Sequence, residues 1–251
     1  MKKGIVLFIG LALFSVANPQ ACSANSPWFE ALENRIYQSF VTGDIPLWER
    51  TVAEMERYYR QQPSSAVLYG LLLARYGLIA FSLDEDTRKA RFHLDKAEEE
   101  LEVLFRDQQY LSKAYALQGA FLGFRISLRP LAAIRLGPRS YRAIDNAIEA
   151  DSLNPAAWME RGNSLFYTPS TFGGSKQGAV EAYQRAIQLF EQDMQPRFRW
   201  LYLNTLVGLA KGYQYLDRNS FTIATYRKSL TFEPEFKWVR DELLPEALRR
   251  N

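Results

Sequence analysis

The stretch 206-LVGLAKGYQYLDRNSFTIATYRKSLTFEP-234 decides the fold of this chain. Leu206, Leu209, Ala210 and Tyr213 recur at steps of three and four, which puts them on one face of a helix. Thr222, Tyr226 and Ser229 mark the face of a second helix, and Pro234 stops it. Two antiparallel helices of this kind cannot bury their apolar faces alone, so the unit implies neighbours stacked against it.

The same spacing is found upstream. Trp158, Gly162 and Leu165 fit a first helix, and Ala179, Tyr183 and Ala186 a second, with Asn154 as N-cap and Pro155 at the first helical position. Tyr115, Gln118, Gly119 and Leu122 open another pair that closes on Ala143, Ile144 and Ala147, and Ala90, Leu94 and Ala97 mark the second helix of an earlier one. A small residue where two helices cross lets the axes approach to packing distance. Breakers at Gly43-Asp44-Ile45-Pro46, Gln62-Pro63-Ser64-Ser65, Leu83-Asp84-Glu85-Asp86, Leu136-Gly137-Pro138, Asn154-Pro155, Gly173-Gly174-Ser175 and Glu233-Pro234 separate the helices. The expectation is an all-α helix-hairpin solenoid. Its pairs run 28–61, 64–106, 109–152, 154–192 and 196–232, with a terminal capping helix at 235–250.

With 47% hydrophobic residues and 14 Tyr, 16 Phe and 5 Trp, the 251-residue chain can fill a substantial core. Met1-Lys2-Lys3 followed by the apolar run Ile5–Phe14 and small residues to Ala24 reads as a secretory signal peptide, 1–24, leaving a solenoid domain at 25–251. Cys22, the only cysteine, is either discarded with that segment or becomes the lipidated first residue of a lipoprotein. Simple cleavage is the favoured reading, because Pro19-Gln20-Ala21 lacks the usual Leu three places upstream. The expected place is therefore the periplasm or the exterior, with membrane attachment only if Cys22 is acylated. Cleavage removes Lys2 and Lys3 and no acid, so the formal charge falls from +3 to +1. With no block of Lys and Arg to track a phosphate backbone, nucleic acid is not an expected partner.

The spacing of these units resembles the tetratricopeptide repeat family over most of the chain past residue 24. The stretch Arg129-Pro130, Leu136-Gly137-Pro138-Arg139-Ser140, Asn154-Pro155 and Pro169…Phe172-Gly173-Gly174-Ser175 is similar to secreted repeat proteins common in Bacteroidetes that share LGP, NP and FGG signatures. More loosely, the layout resembles the periplasmic T-component of TRAP transporters, which implies a lipid-anchored, oligomeric accessory subunit. The repeat resemblance implies that the first helix of each pair lines a concave surface, with the ninth, twelfth and thirteenth places pointing into it. These are Asn163, Phe166 and Tyr167 in the fourth unit, Lys211, Gln214 and Tyr215 in the fifth, and Phe124 in the third. Amide, ammonium and phenol groups beside aromatic faces suit an extended peptide or a small polar ligand. Met159 precedes Asn163, where a carboxylate clamp for peptide termini wants a lysine.

Gly162 and Ala179 lie five residues further apart than the repeat expects, so the turn 168–175 carries an insertion. Insertions in repeat arrays fall in loops on one face, often the binding face, which makes Phe172, Gly173 and Gly174 candidate contacts. In the plainer reading the glycines form a turn and Ser175 caps the next helix. No thiol pair, HExxH or metal-ligand spacing occurs, and no metal or cofactor is expected. His93 is the lone histidine, in a charged helix with no nucleophile beside it, and fits a surface or packing role. Glu98-Glu99-Glu100 reads as a solvated face, and Asp84, Glu85 and Asp86 as acids before a helix start. Together these features point to a non-catalytic protein- or peptide-binding or scaffolding module, with self-association left open. An enzyme or enzyme regulator using the 168–175 loop is the remote alternative.

Overall fold

The structure, a computed structural model, describes residues 26–250. The expected signal segment and Cys22 lie outside the described residues. Ten helices form five hairpins: α1 (Pro27–Thr42) with α2 (Ile45–Gln61), α3 (Ser65–Glu85) with α4 (Thr87–Leu104), α5 (Leu111–Leu128) with α6 (Ala133–Ala150), α7 (Pro155–Tyr167) with α8 (Lys176–Gln192), and α9 (Arg199–Tyr215) with α10 (Asn219–Phe232). A π-helical turn, Trp238–Leu243, leads into α11 (Leu244–Arg249) and closes the chain. Among the described residues there is no strand.

Local chemistry sets the helix starts. Asp44, Ser64, Asp86, Asn154 and Ser175 each accept a backbone N–H of the helix they precede, satisfying donors that the first turn leaves unpaired. Asn154 also donates to Ser112 Oγ at 2.8 Å, and Ser112 donates to the Ala147 carbonyl, which fixes the third unit on the fourth. Two breakers behave differently from expectation. Asp84 and Glu85 form the last turn of α3, with only Asp86 outside it as the cap of α4. Leu136-Gly137-Pro138 lies inside α6. Pro138 sits near the helix start, where its missing N–H forfeits a single bond in the ladder.

The five first helices pack against one another in sequence, α1 on α3, α3 on α5, α5 on α7 and α7 on α9, and α9 returns to α1. They form an inner ring, with the second helices outside it. Trp200 of α9 locks the closure: its ring lies 5.7 Å from Phe40, 5.4 Å from Trp48 and 6.1 Å from Tyr76. Tyr37 donates to Glu233 at 2.5 Å, the Arg199 guanidinium stacks 3.8 Å over the Tyr37 ring, and Phe236 is fully buried against Phe40. α3 and α9 are accordingly buried nearly all round. α3 is long and apolar enough to cross a membrane by composition, yet it is a core helix of this ring. The concave side expected from the repeat resemblance is therefore filled by α9. Among the described residues, two cavities in the ring each have about 10 Å³ of free space, room for about one water.

Candidate functional site

Parallel first helices bring their C-terminal ends, and the turns that follow, to one edge of the ring. At that edge the ends of α7 and α9 meet. Phe166 and Tyr167 lie edge to face at 5.0 Å, and Tyr215 stands 6.4 Å from Phe166. Lys176, the first residue of α8, holds its ammonium 4.2 Å over the Phe166 ring and 4.8 Å over the Tyr215 ring. It also donates to the Phe166 carbonyl, one of the orphan acceptors at the end of α7. That hydrogen bond uses one of its three N–H donors. Tyr167 is 71% exposed and Tyr215 64%, so the cluster is an open ledge of aromatic faces around one cation.

The inserted turn forms the flank of this ledge. Ser170–Phe172 make a short 3-10 turn, and Gly173 takes the left-handed conformation at φ 91°, which glycine adopts without strain. A Cβ on Gly174 would collide with the Thr168 carbonyl, so the loop closes tightly on itself. Ser175 donates its N–H to the Leu165 carbonyl at 3.0 Å and caps α8 through its hydroxyl. The glycines thus make a turn, as the plainer reading has it. Phe172 does not fold beneath that turn, however, and is 72% exposed.

The remaining expected residues separate into two places. Lys211, one turn before Tyr215 on α9, lies 4.6 Å over the Trp238 ring, and its partial burial lowers its pKa. Gln214 is half-buried beside it. Asn163 belongs to the interior: it accepts from the Tyr183 hydroxyl at 2.8 Å, and its amide reaches Tyr76 and Glu160 at 3.3 Å each. Phe124 packs 5.3 Å from Tyr76 and likewise faces the ring.

Several polar residues that periodicity does not single out hold the ring together. Glu160, beside a water-sized cavity lined by Tyr69, Tyr76 and Lys113, is pushed up to about 7 by burial, against the opposing pull of hydrogen bonds from Tyr76 and Asn163. Glu33 is also raised to about 7 by burial, although Arg197 Nε lies 3.3 Å away. That contact is an ion pair without hydrogen-bond alignment, and Glu33 Oε1 has no hydrogen-bond partner. On the outer side of α3, Arg75 is fully buried, bonded twice to Glu100 at 2.8 Å and once to Glu56 at 3.0 Å. The expected solvated face Glu98-Glu99-Glu100 is therefore partly structural, because the buried guanidinium recruits Glu100, and Glu98 pairs with Arg125. His93 Nδ1 lies 3.3 Å from Arg75, and burial followed by the Arg75 charge depresses its pKa to about 4. It is a packing histidine.

No known protein family and no curated protein matches the sequence. Among solved structures the chain is similar to the HusA haemophore from Porphyromonas gingivalis, at 18% identity and a TM-score of 0.63. The match covers 77% of this chain and 96% of that one. The likeness is one of fold. It places the chain among all-α proteins built from stacked helical hairpins.

Proposed function

We propose that this is an exported, non-catalytic binding module of the tetratricopeptide type, and that its ligand docks on the ledge formed by Phe166, Tyr167, Phe172, Lys176 and Tyr215. The observation that carries this reading is the Lys176 ammonium set over two aromatic rings, with exposed aromatics on either side. The ring interior is packed, so recognition falls to this edge. Aromatic faces with a cation at their centre suit an extended peptide segment that offers an aromatic and an acidic side chain.

A second reading is haem as cargo, favoured by the fold likeness to a haemophore and by the exposed aromatic rings of the ledge. One of the exposed rings, Tyr167 or Tyr215, would stack on a porphyrin, Lys176 would meet a propionate, and the phenol of the other would offer an oxygen ligand to the iron. His93 is held by Arg75 away from this edge.

Titrating the protein with haemin and, separately, probing envelope extracts by crosslinking from position 172 distinguishes the two. A Soret shift lost in Tyr167→Phe and Tyr215→Phe supports haem. A crosslinked protein without a Soret shift supports the peptide reading. Under either, Phe172→Ala and Tyr167→Ala each weaken binding by about 1–3 kcal/mol, the range of aromatic hot spots, while melting temperature hardly moves. A Phe172→Ala protein with unchanged affinity and a lowered melting temperature overturns the site.

A further inference from the structure

The same edge carries a second feature, at the α5–α6 turn, that the ligand site does not use. Leu131 is 96% exposed and Ile134 84%, the two most exposed large apolar side chains among the described residues. Around them stand Arg129, at the end of α5, and Arg135, Arg139 and Arg142, spaced four and three residues apart along one face of α6. None of the four forms an ion pair among the described residues, whereas Arg125, one turn earlier, is neutralised by Asp95 and Glu98. The chain from 108 to 144 contains no Asp or Glu at all, and the next acid, Asp145, is taken by Arg161. α6 also begins with no side-chain cap and no acid in its first turn. Arginines at the positive end of a helix dipole disfavour the fold locally, and a bound anion relieves that repulsion.

We propose that the α5–α6 turn docks the protein onto an anionic phospholipid surface, with Leu131 and Ile134 entering the interface and the four arginines meeting lipid phosphates. This goes beyond both the ledge ligand and a lipid anchor at Cys22. The shape favours a bilayer over a protein partner. Protein interfaces seat aromatic or arginine anchors in matching pockets, whereas an aliphatic pair on a projecting turn needs only a fluid surface that yields to it. The charge is of one sign, starting at Arg129 and Arg135 beside those aliphatics in the sequence and running on along α6, which suits a continuous anionic surface.

The test is cosedimentation of the full chain with phosphatidylcholine vesicles and with vesicles carrying phosphatidylglycerol. Each arginine near an anionic surface contributes about fivefold in partitioning, so Arg129→Gln/Arg135→Gln/Arg139→Gln is expected to lose roughly a hundredfold on phosphatidylglycerol vesicles. Leu131→Ser/Ile134→Ser should weaken binding further at high salt, where the charge contribution is screened. A charge-matched control, Arg50→Gln/Arg57→Gln/Arg91→Gln, changes three exposed arginines elsewhere and should lose only a small part of the affinity. The apolar segment near Ile5–Phe14 is common to all variants and cancels in these comparisons. Equal loss in the control overturns the proposal. So does parent binding that ignores phosphatidylglycerol, or a patch variant that binds like the parent while losing a protein partner or self-association. All the substituted side chains are exposed, so unchanged melting curves accompany a valid comparison.

Discussion

Replacing Gly162 tests the packing that holds the ledge in place. A Cβ built at Gly162 lies 2.5 Å from Cδ1 and Cε1 of Tyr183 and 2.9 Å from its Cγ, about 1 Å inside ordinary carbon–carbon contact. The ring has no room to move aside. It is 1% exposed, its hydroxyl is tied to Asn163 at 2.8 Å, and its far side rests on Gly208, where a Cβ would come within 2.9 Å. Gly162→Ala gains about 1 kcal/mol of helix propensity and loses about 1–3 kcal/mol to overpacking. The net expectation is a loss of about 0–2 kcal/mol. Gly162→Leu adds bulk at the same point and should cost about 3 kcal/mol or more. At about 2–4 °C per kcal/mol for a domain of this size, the Leu variant melts roughly 6–12 °C lower, read by far-UV circular dichroism. Tyr183→Leu alone is destabilising, but with Gly162→Ala it should cost less than the sum of the two, by at least about 1 kcal/mol. If Gly162→Ala raises the melting temperature by its full propensity gain and the two changes add, the tight crossing of α7 and α8 is wrong.

Two further outcomes follow from the buried charges. Arg75→Met should destabilise less than Glu56→Ala/Glu100→Ala, because removing the arginine leaves two carboxylates that water can reach, whereas removing the carboxylates strands a buried cation at a cost of about 3–5 kcal/mol; urea midpoints that reverse this order refute it. Stability should also depend on pH through Glu33 and Glu160, whose folded pKa values near 7 lie above the ordinary carboxyl value. Between about 4.5 and 7 the folded state holds more protons than the unfolded one, so stability is highest at the acid end of that window and falls as pH rises through 7. Glu160→Gln should flatten that slope and stabilise the protein at pH 8 by up to about 3 kcal/mol; His93, depressed to about 4, contributes the opposite slope below 6.5.

Most hairpin boundaries were legible because most helices carry a three–four apolar rhythm and end at a breaker or cap, the α5–α6 turn excepted, since Leu136-Gly137-Pro138 falls inside α6. Asn154 and Ser175 act as the residue types at those positions imply. Ring closure was harder to read, since Tyr37 and Glu233 lie 196 residues apart and no local period links them. A trace of it was nonetheless present: through most of α3 and α9 apolar residues fall on more than one face, a pattern of helices buried nearly all round rather than of helices lining an open groove. Phe166, Tyr167 and Tyr215 come together because equivalent places in consecutive parallel helices fall side by side. Lys176 belongs to a second helix, outside that rule, and only the five-residue insertion brings its start over the ends of α7 and α9. Arg75 stayed hidden because a single arginine inside an apolar run gives no sign of which acids will reach it.

Closure of the ring also decides where function can reside. An open solenoid uses its inner face for both stacking and recognition, so a change there alters stability and binding together. Here Trp200 and its neighbours fill the inner face, and stacking alone uses it. The edge where each first helix turns into its second is left free of that duty. The insertion 168–175, the exposed rings of Tyr167, Phe172 and Tyr215, and the arginine-flanked pair Leu131 and Ile134 collect along it. Side chains that are mostly exposed contribute little to the core, so substitutions at Phe172 or Arg135 should change affinity without changing the melting curve. Substitutions at Asn163 or Glu160, which face the ring, should do the reverse. That separation distinguishes a closed ring with a functional edge from a binding groove.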